Sequence, residues 1–183
     1  MKPLFFAALL ALAPLAHADD AVWAKLKAGG NVLLIRHAAT EPGLGDPPNF
    51  LLGDCRTQRN LSDAGREEAR RVGRTLKWRA VAVSELRSSR WCRTLETAEL
   101  AFGHPAVPWE ALDSLYKDPE REAERTRTVT ELVKTVRPPQ NVALVTHNFN
   151  IRALTGISPS TAEIVVVRSE GGKVVVVGRL PVQ

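Results

Sequence analysis

Along the chain, short unbroken apolar runs alternate with longer stretches in which apolar residues recur every three or four positions. Asn31-Val-Leu-Leu-Ile35 and Asn141-Val-Ala-Leu-Val145 are unbroken runs and predict buried strands. From Leu61 the interval changes. Leu61, Ala64, Glu68, Val72 and Leu76 lie at helical spacing with arginines between them, and Ser62 is a good N-cap, which predicts a helix over 62–78. A patchier strand is expected to end near Leu86 to Ser88. Ser89 is expected to cap a helix that holds Cys92, Leu95, Ala98 and Leu100 and closes near Gly103. Residues 118–136 are charged, with Val129, Leu132, Val133 and Val136 as one contact face, so a surface helix is predicted, stopped by Pro138-Pro139. Phe149 to Leu154 reads as a short helix closed by Gly156. Glu163 to Val167 and Lys173 to Val177 read as a hairpin turned by Ser169-Glu-Gly-Gly172.

Strands separated by helices indicate an α/β domain with a largely parallel sheet, to which the final hairpin adds an antiparallel piece. Residues 41–60 break the pattern with three Pro, three Gly and many polar groups. A loop of that length inside a compact domain is usually functional.

The first residues belong to a different pattern. Lys2, the apolar stretch Leu4 to Leu15 and the small residues of Ala16-His17-Ala18 form the three-part signature of a secretory signal peptide. The expected organisation is therefore a signal peptide at 1–18 and one domain at 19–183, exported and most naturally periplasmic. The apolar run is too short for a comfortable membrane span, a retained N-terminal anchor being the alternative, and since no later segment approaches membrane length no stable membrane insertion is expected after its removal.

Composition adds little until charge is considered. The chain has 183 residues, 25 basic and 20 acidic, for a formal charge of +5, and residues 1–18 carry one Lys and no acid. A mild basic excess suits an anionic substrate. Aromatics make up only 5% and do not interleave with basic residues, so nucleic acid is not an expected partner. Cys55 and Cys92 show no metal-ligand spacing, and no metal or other cofactor is implied. In an oxidising compartment the two could pair.

The chemistry gathers at the ends of the two clean strands. Ligands of open α/β sheets bind at the carboxyl ends of strands, which brings His37 and His147 toward one rim with Arg36 beside the first. Arg59 lies where the long loop enters a helix, and Arg93 lies early in another helix. Arginine forks match phosphate oxygens. A neutral imidazole could attack phosphorus, and a second histidine kept protonated beside the oxygens would stabilise developing charge.

The joint pattern has a family likeness. Arg36-His37-Ala-Ala-Thr40 resembles the R-H-G-x-T signature of the histidine phosphatase superfamily. Ser89-Arg-Trp-Cys-Arg93-Thr-Leu-Glu-Thr97-Ala98 resembles its S-P-x-x-R-A-x-x-T-A segment, and Val145-Thr-His147-Asn its later S/T-H-x segment. Arg59-Asn-Leu-Ser-Asp-Ala-Gly65 resembles the R-x-L-T-x-x-G segment of small SixA-like members. The four occur in the family's order over roughly residues 31–155.

This resemblance implies a three-layer α/β/α sandwich without a large cap domain. It implies His37 as the nucleophile, Arg36, Arg59, Arg93 and His147 as phosphate ligands, and Thr40 and Asn148 as candidate additional donors. The substrate would be a phosphorylated small molecule or envelope glycan, since small exported members include lipopolysaccharide core heptose-phosphate phosphatases. Three positions depart from the pattern. Ala38 stands for the usual Gly, and Arg90 for the usual Pro. Asn148 stands where one branch of the family has its acidic Asp, and an amide cannot donate a proton as an acid. Asp113 is the first candidate for a general acid, with Glu110, Asp46 and Asp54 behind it. A Cys55–Cys92 bridge would tie the long loop to the helix carrying Arg93. A non-catalytic phosphate-binding module and a phosphoglycerate-type mutase are the alternative readings.

Overall fold

The structure is a computed structural model and describes residues 15–181. The proposed signal segment lies largely outside the described residues. The part that is described, Leu15 to Ala18, is the start of a helix, α1 (Leu15–Ala28), which runs past the expected cleavage point.

Six strands form one sheet: β1 (Asn31–Arg36), β2 (Glu85–Ser88), β3 (Val107–Pro108), β4 (Asn141–Thr146), β5 (Ile164–Glu170) and β6 (Lys173–Leu180). Their order is β3-β2-β4-β1-β5-β6. The first four run parallel, and β5 and β6 are antiparallel additions at one edge. The helices α2 (Asp63–Trp78), α3 (Cys92–Phe102), α4 (Glu122–Thr135) and α5 (Asn148–Thr155) complete the fold.

The unbroken apolar runs of β1, β4 and β5 are explained by burial on both faces. Leu33 and Ile35, Ala143 and Val145, and Ile164 and Val166 face α1, α2 and α3. Val32 and Leu34, Val142 and Leu144, and Val165 and Val167 face α4 and α5. The expected three-layer sandwich follows, and no large cap domain is present among the described residues. Asn31 and Asn141 fix the β1–β4 register at the rim away from the site. Asn141 Oδ1 accepts from the Asn31 N–H at 3.2 Å and from Asn31 Nδ2 at 3.3 Å, while Asn141 donates to the carbonyls of Leu26 and Ala82.

Most expected helices form where the spacing places them. In α2 the buried positions are Gly65, Ala69, Val72 and Leu76, and Ser62 caps the helix by accepting from the Gly65 N–H. In α4 the buried face is Arg125, Val129 and Val133. The expected Ser89 cap is a correction. Trp91 is the N-cap of α3, without a side-chain capping bond, and the Ser89 hydroxyl is engaged elsewhere. α1 has no counterpart in the sequence reading; it closes one sheet face with Val22, Trp23 and Leu26.

Candidate active site

Because β1, β2 and β4 are parallel neighbours, the residues that follow them emerge side by side. The His37 N–H donates to the Thr146 carbonyl at 2.9 Å, and the Ser89 N–H to that of Val145 at 3.0 Å. These bonds carry the sheet ladder one residue beyond the strands. His37 and His147 meet with ring centroids 5.4 Å apart, edge to face. They line a pocket of about 140 Å³ together with Arg36, Arg59 and Arg93. Sequence reasoning named these five residues, and the fold brings all of them together.

The local backbone explains the motif around His37. The Ala38 N–H donates to Thr97 Oγ1 at 3.1 Å, and Thr97 donates to the Arg93 carbonyl at 2.6 Å. The Ala39 N–H donates to Glu68 at 2.8 Å. The loop after His37 is thus held by α3 and α2. Gly65 is required by close approach, since a Cβ there would lie 1.8 Å from the Ala39 carbonyl oxygen. Ala38 does not have a positive φ, so glycine's special conformation is not needed at that position. Thr40 pairs with Leu61 in an isolated bridge, and Asn148 opens α5 at the pocket wall.

His37 Nδ1 donates to the Ala38 carbonyl at 2.9 Å, which leaves Nε2 as the unprotonated nitrogen. Burial above all, with the nearby Arg93, Arg36 and Arg59 and against the opposing Ala38 bond, brings its pKa down to about 3. His147 Nε2 lies 2.9 Å from Ser89 Oγ, and its Nδ1 is buried without a partner. Burial first, then His37 and the cations Arg93, Arg36 and Arg125, hold His147 well below the ordinary histidine value. Without an anion in the pocket these groups favour the neutral ring; the expected protonation of His147 is a state beside bound phosphoryl oxygens.

The arginines reach the pocket from three elements. Arg36 ends β1 and donates to the Pro159 carbonyl at 2.7 Å. Arg59 ends the long loop and donates to the Gly43 carbonyl at 2.6 Å. Arg93 sits in the first turn of α3, is buried, and forms an ion pair with Asp46 at 2.8 Å. The Nε atoms of all three are buried without partners. Two helix N-termini, those of α3 and α5, open on the same region and favour negative charge there.

Asp46 is the residue whose role the sequence did not show. It accepts from Arg93, from the Arg59 N–H at 3.0 Å and from Trp91 Nε1 at 3.0 Å. Burial pushes its carboxyl up, but these donors outweigh burial and hold it below the usual carboxylate range. Trp91 packs its ring edge to face on His147 at 5.5 Å. The long loop is secured to α3 by the Cys55–Cys92 disulfide, with Cα atoms 5.7 Å apart.

Asp113, the first candidate acid, lies off the pocket wall. It is fully buried, accepts from the Arg90 N–H at 2.9 Å and from Arg90 Nε at 2.7 Å, and receives Ser89 Oγ at 3.4 Å. Arg90, which stands for the usual Pro, is therefore its partner. Glu110 faces Arg90 and Arg121 at the surface, and Asp54 pairs with exposed Arg56. No carboxylate lines the pocket among the described residues. Nor is any group of three His, Cys, Asp or Glu placed among them to hold a metal ion.

Residues 32–117 match the family model of the histidine phosphatase superfamily, branch 1. No curated protein matches the chain. Among solved structures, the chain resembles a phosphoserine phosphatase from Entamoeba histolytica in complex with 3-phosphoglyceric acid. That pair shows 15% identity and a TM-score of 0.61, covering 84% of this chain and 98% of the other. It also resembles a phosphohistidine phosphatase SixA from Agrobacterium tumefaciens (20% identity, TM-score 0.57, 83% and 97% covered). A third likeness is to an alpha-ribazole phosphatase from Shigella flexneri (15% identity, TM-score 0.58, 80% and 94% covered). With this fold around four motifs in the family's order, the chain resembles the histidine phosphatase superfamily, whose model matches residues 32–117.

Proposed function

We propose that the protein is an exported phosphatase that hydrolyses phosphomonoesters through a phosphohistidine on His37. The observation that carries this reading is the tautomer and setting of His37: a neutral imidazole, tied at Nδ1 to a carbonyl, with Nε2 free in a pocket ringed by three arginines. Nε2 attacks phosphorus as the bond to the leaving oxygen breaks. Water then attacks phosphorus, the P–N bond breaks, and inorganic phosphate leaves. Arg36, Arg59 and Arg93 neutralise the phosphoryl oxygens, and His147 Nδ1 supplies one more donor to them. The chemistry needs no metal. The phosphatases among similar structures support the same class of reaction.

The amino-terminal signal pattern and the disulfide support export, with the periplasm as destination and an envelope sugar phosphate as substrate. The absence of a carboxylate at the pocket wall, among the described residues, favours leaving groups that depart with little protonation. The same absence supports the second reading, a phosphate-binding module without turnover.

The test is hydrolysis of an aryl phosphate, with chelator present, by the wild type and by His37→Ala. Release of phosphate by the wild type and a loss of at least about a thousandfold in the variant are expected. Equal turnover by both would remove His37 as the nucleophile. Phosphate binding with no turnover by either would favour the binding module.

A further inference from the structure

A second cavity, of about 280 Å³, adjoins the phosphoryl pocket. The two share Ser114 and Tyr116 as a common wall. Its other sides include Phe50, Trp91 and Lys117. Phe50 and Trp91 stand with ring centroids 5.7 Å apart at 38°, and Trp91 in turn touches His147. Three aromatic side chains around one cavity, in a chain with so few aromatics, present flat apolar faces to whatever is bonded to the phosphoryl group.

This cavity is built before any ligand arrives. The segment 113–118, which carries Ser114, Tyr116 and Lys117, is held from α4 and α5. Arg125 pairs with Asp118 at 2.7 Å, and Asn150 donates to the Asp113 carbonyl at 2.8 Å. On the other side the long loop rests on Tyr116. A Cβ at Gly45, whose φ is +71°, would lie 3.0 Å from its ring. The Cys55–Cys92 bridge holds that loop to α3.

The charges around the cavity are unequally matched. Asp46 is paired with Arg93, and Asp118 with Arg125. Lys117 is exposed and makes no ion pair among the described residues. The cavity therefore offers aromatic faces and one uncompensated ammonium.

We propose that this cavity is the leaving-group subsite, and that it selects phosphomonoesters whose leaving group is a ring bearing a second anionic group that reaches Lys117. The ring would lie against Phe50, Trp91 and Tyr116, and the phosphoryl group would pass the Ser114–Tyr116 wall to face His37. This rests on the phosphatase reading for its chemistry, but ring recognition can be measured without turnover.

Calorimetry of three phosphonates, which cannot be hydrolysed, tests it: methylphosphonate, benzylphosphonate and 4-carboxybenzylphosphonate. The expected order is benzyl tighter than methyl by about tenfold, and carboxybenzyl tighter again by about fivefold. Phe50→Leu should erase most of the first step, and Lys117→Met only the second. Equal affinity for all three phosphonates, or steps that survive both substitutions, would overturn the subsite. Aryl phosphate that binds with these steps but is never hydrolysed would instead overturn the phosphatase reading. Failure of the wild type to bind any phosphonate would overturn both.

Discussion

His147 is the side chain whose protonation depends most on what occupies the pocket. In the free protein, burial and the surrounding cations keep it neutral. A phosphate dianion beside its unpartnered Nδ1 reverses the sign of the local field and favours the imidazolium. At pH 8, where free phosphate is already the dianion, binding should take up as much as about one proton. Calorimetry in buffers of different ionisation enthalpy would read this directly, and a heat independent of buffer would mean that His147 binds as a neutral donor. Asp46 supplies the complementary case. Its ion pair with Arg93 is almost wholly buried, at 8% and 5% side-chain exposure. Asp46→Ala would leave Arg93 as an uncompensated buried charge, at a cost of about 3 kcal/mol. Added phosphate should then raise the melting temperature of the variant more than that of the wild type, because the anion takes over the pairing. The five pocket residues were legible because each stands next to a strand end or helix start within a recurring motif. Asp46 was not, because its partners Arg59, Trp91 and Arg93 are 13 to 47 residues away and nothing in a Gly- and Pro-rich loop sets a register.

The elements that carry the site are coupled through two close approaches. α2 meets the loop after His37 at Gly65, where no Cβ fits. Gly65→Ala should destabilise the fold by about 3 kcal/mol in denaturant unfolding. It should also lower kcat more than a cavity variant of equal cost in the α4 layer, since the displaced segment begins at Ala38. The second coupling is the disulfide. It closes a 37-residue separation and anchors the loop that ends in Arg59 against the helix that begins with Cys92 and Arg93. Reduction should lower kcat/KM by about tenfold or more through misplacement of Arg59, and a Cys55→Ser/Cys92→Ser double variant should reproduce the loss without reductant. Reduced enzyme with full activity would show that other contacts place the loop. β1 and β4 follow closely from their unbroken apolar runs, because both faces are buried, and α2 from its helical spacing, because one face is buried. α1 does not, since it contributes only Val22, Trp23 and Leu26 to the core from a stretch rich in Lys and Ala. The start of α3 was displaced for a chemical reason. Ser89 has capping chemistry, but its hydroxyl is taken by His147, Asp113 and the Trp91 N–H.

At the scale of the whole molecule, the buried neutral histidines make folding itself pH-dependent. In the unfolded chain a histidine takes up a proton near pH 6.5, whereas folded His37 resists until about pH 3. Between those values the unfolded state binds more protons, so stability falls as pH falls. His147, also held below its ordinary value by burial, acts in the same direction. Asp46 and Glu163 add to the trend at lower pH. Burial raises both, but hydrogen bonds from Arg93, the Arg59 N–H and Trp91, and from Arg179 and the Ser160 N–H, outweigh it. Their stabilisation is present above the unfolded carboxylate pKa and is lost as pH drops through the folded one. From pH 7 to pH 5 the cost through His37 alone is about 2 kcal/mol. Urea unfolding at the two values should show at least this difference, with His37→Asn recovering most of its own share. A variant that keeps the full pH slope would place the proton-linked loss elsewhere. Phosphate should flatten the slope in the wild type, because the anion lets His147 accept a proton inside the fold instead of only after unfolding.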